Sequence, residues 1–369
     1  MGLKKQKLKT MMLALGLTVV TSFSVVFAGE LETLSIETAT ARAIRNSSAI
    51  RAAEDNIRNT REEEQRAIDI FFANPMIGSA DIINFQTSML VQETQRAVNN
   101  TNIASQRATL EFIVTNHFAN ITMAKNELDM FEENLRLMQR DMQIMEVRFS
   151  LGLASAADVQ SLRNNLEVSL NNKVNLENAI ESSFRELNRL MGSSTNDRYE
   201  IELDLEFELL GEIDLARLTR ASVDNDTRVA SQRANRDVTR FQLDNRMLHS
   251  NPMTGEVIPG QPTRAQVEIN AQQAQRGLND SIQTVENSIV DLINQIRNLE
   301  LVISSTELQL DVSRREHEIA KLNFETGNIT QLDLERSAFG IVNLEETLRR
   351  HKTNHSIMVM QLMNPNIAA

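Results

Sequence analysis

One apolar rhythm constrains this chain more than anything else in it. Starting at Leu110, the residues Val114, His117, Ile121, Ala124, Leu128, Phe131, Leu135, Met138, Met142, Met145 and Phe149 follow in alternating steps of four and three. A 3.5-residue period keeps one stripe of a helix turned toward a partner helix. A second row, Met123, Met130, Leu137 and Ile144, repeats every seven residues beside the first. A helix with two seams has neighbours on two sides, so the expected fold is all-α and a multi-helix assembly. The five prolines stand at 75, 252, 259, 262 and 365, leaving Met76–Asn251 and Thr263–Asn364 free of them. Long helices are permitted throughout both spans.

The seam occurs twice. Val285, Ile289, Leu292, Ile296, Leu299, Ile303, Thr306, Leu310, Ser313, His317, Ala320 and Phe324 each stand 175 positions after a member of the first row (285 − 110 = 175). Each seam runs into a turn of matching chemistry. Gly152 and Gly327 are placed where a helix stops and positive φ is needed. Ser155 and Thr330 are natural N-caps, with Asp158 and Asp333 three residues on, near the positive end of the next helix. Leu153 and Asn328 fill the apices. Each unit reads as helix, tight turn, helix: a long antiparallel coiled-coil hairpin. Ala43–Ile50 parallels Ser222–Val229, and Leu190-Met191-Gly192 parallels Leu362-Met363-Asn364, so the chain is two tandem copies of one unit.

The boundaries follow. The first repeat covers 29–192 with its turn at about 150–157, a connector covers 193–213, and the second repeat covers 214–369 with its turn at about 325–332. In the connector Ile201, Leu203, Leu205 and Phe207 alternate with acidic residues and suit one short strand. A shorter helix, about 36–72 or 212–248, precedes each long one, about 86–149 or 264–324. Those long helices would extend ~90 Å each. Such a molecule is a rod or the wall of a tube, not a globular enzyme core.

Residues 1–28 read as a signal peptide, with an uncleaved N-terminal anchor as the alternative. Lys4, Lys5, Lys7 and Lys9 precede the apolar run Met11–Val20, and Val26-Phe27-Ala28 supplies the cleavage pattern before Gly29. The protein is therefore expected to be exported. After residue 28 no run approaches the ~20 apolar residues of a membrane helix. Lys+Arg 38 against Asp+Glu 50 gives a net charge of -12, which argues against nucleic acid as a partner. With no cysteine, thiolate zinc sites, iron–sulfur clusters and cysteine nucleophiles are excluded. His351 and His355, four apart on a helix, lack a third ligand. The methionines Met123, Met130, Met138, Met142 and Met145 all lie on seams and read as core. No catalytic, cofactor or metal site is expected.

The order of these motifs resembles the TolC-like outer-membrane efflux protein family over essentially the whole chain after residue 28. The resemblance rests on Leu34-Ser35-Ile36-Glu37-Thr38-Ala39 with Ala43-Ile44-Arg45-Asn46, and on the closing Leu-Met pairs. It rests most on Arg148-Phe149-x-x-Gly152-Leu153-x-Ser155-x-x-Asp158-Val159 and Asn323-Phe324-x-x-Gly327-x-x-Thr330-x-x-Asp333-Leu334. The resemblance implies a homotrimeric α-helical barrel whose turns meet a periplasmic adapter protein and, through it, an inner-membrane pump. It implies passive export of small molecules or proteins without chemistry, in the cell envelope. Gly152, Leu153, Ser155, Asp158, Gly327, Asn328, Thr330 and Asp333 are then the partner-binding residues. One departure stands out. The family carries a β-hairpin between the short and long helix of each repeat, and a membrane hairpin needs at least ~20 residues. The links 73–85 and 249–263 have 13 and 15 residues (85 − 73 + 1 and 263 − 249 + 1). Both hairpins are read as missing, which leaves open a cell with one membrane and an extracytoplasmic location. The alternative function is a structural or interaction protein of the envelope that conducts nothing.

Overall fold

The computed structural model describes residues 32–73, 78–245 and 263–368. The segment 1–28, read above as a signal peptide, and most of the second link lie outside the described residues. Among the latter there are eight helices and two three-residue strands, in the order β1 (Thr33–Ser35), α1 (Ile36–Asn46), α2 (Ser48–Ala73), α3 (Ser79–Ser150), α4 (Ala156–Met191), β2 (Glu200–Glu202), α5 (Leu215–Asn225), α6 (Thr227–Asp244), α7 (Arg264–Glu325) and α8 (Gln331–Met363). The long helices α3 and α7 hold 72 and 62 residues, about 108 and 93 Å of axis.

The seams are buried as their spacing requires. Val285, Ile289, Leu292, Ile296, Ile303, Thr306 and Leu310 are all buried on α7, and Val114, Ile121, Leu135 and Met142 on α3. α3 packs against α4 on one side and α8 on the other, with α2 and α6 beside its N-terminal half. That accounts for its two seams. In the turn half of the molecule the order across the wall is α4, α3, α8, α7. The first link is settled: helix runs to Ala73 and resumes at Ser79, too little chain between for two strands. The architecture is all-α, as expected of a TolC-like helical fold without the first β-hairpin.

Two differences from the sequence reading have local causes. The short helices 36–72 and 212–248 are each broken, at Ser47 (φ -65, ψ 113) and at Asp226 (φ -75, ψ 128). Both side chains cap the helix that follows: Ile50 N–H donates to Ser47 Oγ at 3.3 Å and Val229 N–H to Asp226 Oδ1 at 2.9 Å. The breaks fall at equivalent positions of the duplication. The connector strand is also shorter than its alternation suggests, and its partner is remote: β2 pairs in parallel with β1, Leu34 opposite Ile201.

Two cores sit at mid-height. One joins Leu34, Ala39, Ala43, Val114, Phe118, Ile121, Phe184, Leu187 and Tyr199; the other joins Val229, Leu278, Val285, Ile289, Ile296 and Leu362. The connector touches both through Leu203, Leu210 and Ile213. It is strapped onto α7 and α8 by polar contacts: Ser356 Oγ donates to Glu206 O at 2.9 Å, and Glu300 Oε1 accepts from Leu210 N–H at 2.5 Å and meets His355 Nε2 at 3.1 Å. His355 is fully buried, with Phe207 edge-on to its ring at 4.9 Å. It is a core histidine, and no cluster of three metal-ligating side chains exists among the described residues.

Candidate partner-binding site

The two turns are built alike. In the first, Gly152 has φ +73; its N–H donates to Phe149 O at 3.0 Å, and Leu153 N–H donates to Arg148 O at 2.8 Å. In the second, Gly327 has φ +75; its N–H donates to Phe324 O at 2.9 Å, and Asn328 N–H donates to Asn323 O at 2.8 Å. Both are complete Schellman motifs, which a residue with a Cβ would strain. The next helix opens at once with a capping box. Ser155 Oγ accepts from Asp158 N–H at 3.2 Å while Asp158 Oδ2 accepts from Ser155 N–H at 2.8 Å; Thr330 and Asp333 repeat this at 3.2 and 3.0 Å. The hydroxyls also donate to the same carboxylates, at 2.7 and 2.6 Å. These hydrogen bonds hold the Asp158 and Asp333 carboxyls below the ordinary aspartate range.

Ion pairs place the turns at one end of the molecule. Arg140 and Asp141, shortly before the first turn, pair with Glu335 and Arg336, shortly after the second. Arg136 joins them, reaching Glu335 at 3.4 Å and Glu133 at 2.6 Å. Hydrogen bonding to Arg140, ahead of any Coulombic contribution, lowers the Glu335 carboxyl. Above this network an open groove of about 320 Å³ runs between α3 and α8, floored by Met130, Ala338, Phe339 and Val342.

The backbones match, but the side chains do not. The first turn presents Leu151 and Leu153 where the second presents Thr326 and Asn328. In a Schellman motif the residue at the place of Leu153 often packs back on the last helical turn. Here Leu153 is 74% exposed, so no such local contact accounts for it. Phe149 and Val147 are exposed beside it.

A second surface was missed in the sequence reading. On α7 Leu301, Leu308, Val312, Ile319 and Leu322 are all more than half exposed, at intervals of 7, 4, 7 and 3. That is the coiled-coil rhythm again, on the free edge of the four-helix wall. Counting the same 3.5 period beside the first α7 seam would have found it. On the opposite edge, α4 exposes Leu170 and Val174, one turn apart.

No protein-family model and no curated protein matches this sequence. Solved structures do match by fold. The outer membrane protein VceC from Vibrio cholerae is 13% identical, with TM-score 0.63 over 88% of this chain and 95% of that one. CusC, described for the conformational changes that accompany folding and transmembrane channel formation, is 12% identical, with TM-score 0.66 over 93% and 95%. The CmeC outer membrane channel of Campylobacter jejuni is 11% identical, with TM-score 0.60 over 90% and 85%.

Proposed function

We propose that this chain, which has the fold of the TolC-like outer-membrane channels, is one segment of the wall of an export duct in the cell envelope. The observation that carries the proposal is the outer stripe of α7. Five apolar side chains at coiled-coil spacing on a free edge demand a helical partner, and α4 of another copy offers the complementary free edge. A ring of copies closed edge to edge encloses a lumen lined by helix faces, through which cargo passes without covalent chemistry. Three copies is the number the fold resemblance supplies.

The turns are then the docking surface for an adapter protein linked to a pump. Their own geometry supports this. Schellman motifs and capping boxes fix both backbones with no help from the bundle, which leaves Leu151, Leu153, Thr326 and Asn328 exposed for recognition.

Two measurements test the reading. Analytical ultracentrifugation at micromolar concentration should show a trimer, and Leu301→Asp with Leu308→Asp should yield a folded monomer. A monomeric wild type would sink the duct. Leu153→Asp should keep helicity and oligomer state but lose capture by an envelope adapter; normal capture, or unfolding of the rod, would remove the turns from the site.

A further inference from the structure

The connector between the repeats is an extended segment with one edge used and the other bare. Its burial alternates without a miss from Glu200 to Glu208. Ile201, Leu203, Leu205 and Phe207 are half-buried, while Glu200, Glu202, Asp204, Glu206 and Glu208 are exposed. An extended chain sends successive side chains to opposite faces, and successive backbone N–H and C=O groups to opposite edges. The even-numbered residues use theirs. Glu200 N–H donates to Glu32 O at 3.1 Å where β2 lies beside β1, Glu206 O accepts from Ser356 Oγ, and Leu210 N–H donates to Glu300. That edge is held by β1 first and then by α8 and α7. On the odd-numbered edge Leu203, Leu205, Phe207 and Leu209 make no backbone hydrogen bond among the described residues.

We propose that this bare edge binds an extended basic segment of another protein, which joins it as an added strand. Backbone pairing along 203–209 sets the register, and Lys or Arg at alternate positions of the incoming segment meets the exposed acidic row. Charge decides the occupant. From Glu200 to Asp214 there are seven acidic residues and no Lys or Arg, a balance of -7 (0 − 7). The cations beside the row are already engaged. Arg198 pairs with Glu181, and Lys352, whose ammonium lies 5.1 Å from the Phe207 ring centre, pairs with Glu307. A second copy pairing edge to edge would set one acidic row against another, which is destabilising. A single metal ion does not fit either, because carboxylates on every second residue stand ~6.6–6.8 Å apart along the strand. Charge on an edge also deters unwanted strands. Here it has one sign throughout, so it turns away acidic segments and draws basic ones. Leu209, 66% exposed at the end of the edge, adds an apolar contact.

The test uses the fluorescent, N-acetylated and C-amidated heptapeptide Lys-Thr-Lys-Val-Lys-Thr-Lys with the chain from Gly29, which includes every described element. Anisotropy should rise and saturate. Amide exchange at Leu203, Leu205, Phe207 and Leu209 should be fast in the free protein and slow with peptide bound. Asp204→Asn with Glu206→Gln and Glu208→Gln should weaken binding about tenfold and leave the melting temperature unchanged. The same peptide N-methylated at alternate amides keeps every charge but cannot pair as a strand, and should not bind. No saturation with the wild type, or equal binding by the triple variant, overturns the proposal. Equal binding of the N-methylated peptide also overturns it, since charge alone would then suffice. A lower melting temperature in the variant would mean that the carboxylates serve the fold instead. Slow exchange at those amides before any peptide is added would mean that a second copy, or the chain's own segment 246–262, already holds the edge, and would likewise end the proposal.

Discussion

Replacing Gly192 by alanine separates two costs that positive-φ glycines usually combine. Gly152, Gly192 and Gly327 have nearly the same φ, +73, +70 and +75. A Cβ on Gly152 or Gly327 would meet nothing within 4 Å, whereas on Gly192 it would lie 2.7 Å from Asn46 Oδ1 and 2.8 Å from Asn46 Cγ. At the two turns the change costs only left-handed strain, about 1 kcal/mol, partly offset because alanine restricts the unfolded chain by ~0.4–1 kcal/mol. At Gly192 the Asn46 side chain must also move. It donates to Arg189 O and Leu190 O, both at 3.1 Å, closing the end of α4. Losing two such hydrogen bonds adds about 0.5–1 kcal/mol each in a partly solvated setting. Gly192→Ala should therefore cost ~1–2.6 kcal/mol, against less than ~1 kcal/mol for either turn, the same unfolded-chain offset being taken from both. Urea unfolding followed by circular dichroism reads this directly as a shift in midpoint. The cycle with Asn46→Ala is the sharper check: once Asn46 is gone, the added Cβ has nothing to displace, so the double variant should be no worse than the sum of Asn46→Ala and a turn glycine. Equal losses at all three glycines, or full additivity at Gly192, would refute the reasoning.

Three further outcomes are expected. Ile296→Ala, at a fully buried seam position, should destabilise by ~2–5 kcal/mol, and thermal melts should show it as clearly as Ile121→Ala in the other repeat. Burial first, and then Arg189, lower the His117 pKa against an opposing pull from Glu186. Because the folded state holds the neutral ring, stability is complete above the ordinary histidine value and falls as pH drops through the depressed one; His117→Leu should flatten that acid-side slope in denaturation midpoints. The capping carboxylates Asp158 and Asp333 also titrate low, so their contribution is present above the ordinary aspartate value and lost as pH falls through the folded one. Amide exchange at Asp158, Val159 and Leu334 should accelerate there, ahead of global unfolding.

What the sequence disclosed depends on the range of each interaction. Seams, turns and caps are local patterns, so Ile289, Gly327 and the Ser155 N-cap were legible before any fold was known, while the return bond from Ser155 N–H to Asp158 was not. The breaks at Ser47 and Asp226 were not, because a lone Ser or Asp is tolerated within a helix and caps only when the chain turns. The pairing of Leu34 with Ile201 joins three-residue segments far apart in sequence, too short to leave a pattern. Arg140–Glu335 and Arg336–Asp141 depend on how one repeat lies against the other. The candidate site was legible in its backbone, through Gly152 and Gly327, but not in the exposure of Leu153. The seams fade toward the turns: Phe149 and Phe324 keep the rhythm yet are exposed.

That fading has a mechanical meaning. The two cores end near Leu128 on α3 and Ile296 on α7, so beyond them the chain is held only by the seams between neighbouring long helices. From Leu128 to Phe149 is ~32 Å of helix, and from Ile296 to Phe324 ~42 Å. The molecule is a pair of cantilevers clamped at the waist, and a bend of ~10° at the clamp carries the free ends ~5–7 Å at those lengths. The ion pairs between Arg140, Asp141, Glu335 and Arg336 are crossbars placed close to the free ends, where a tie resists bending with the greatest leverage. A weak, salt-screened bond at that radius limits how far the free ends can part, while the same bond at the waist would limit little.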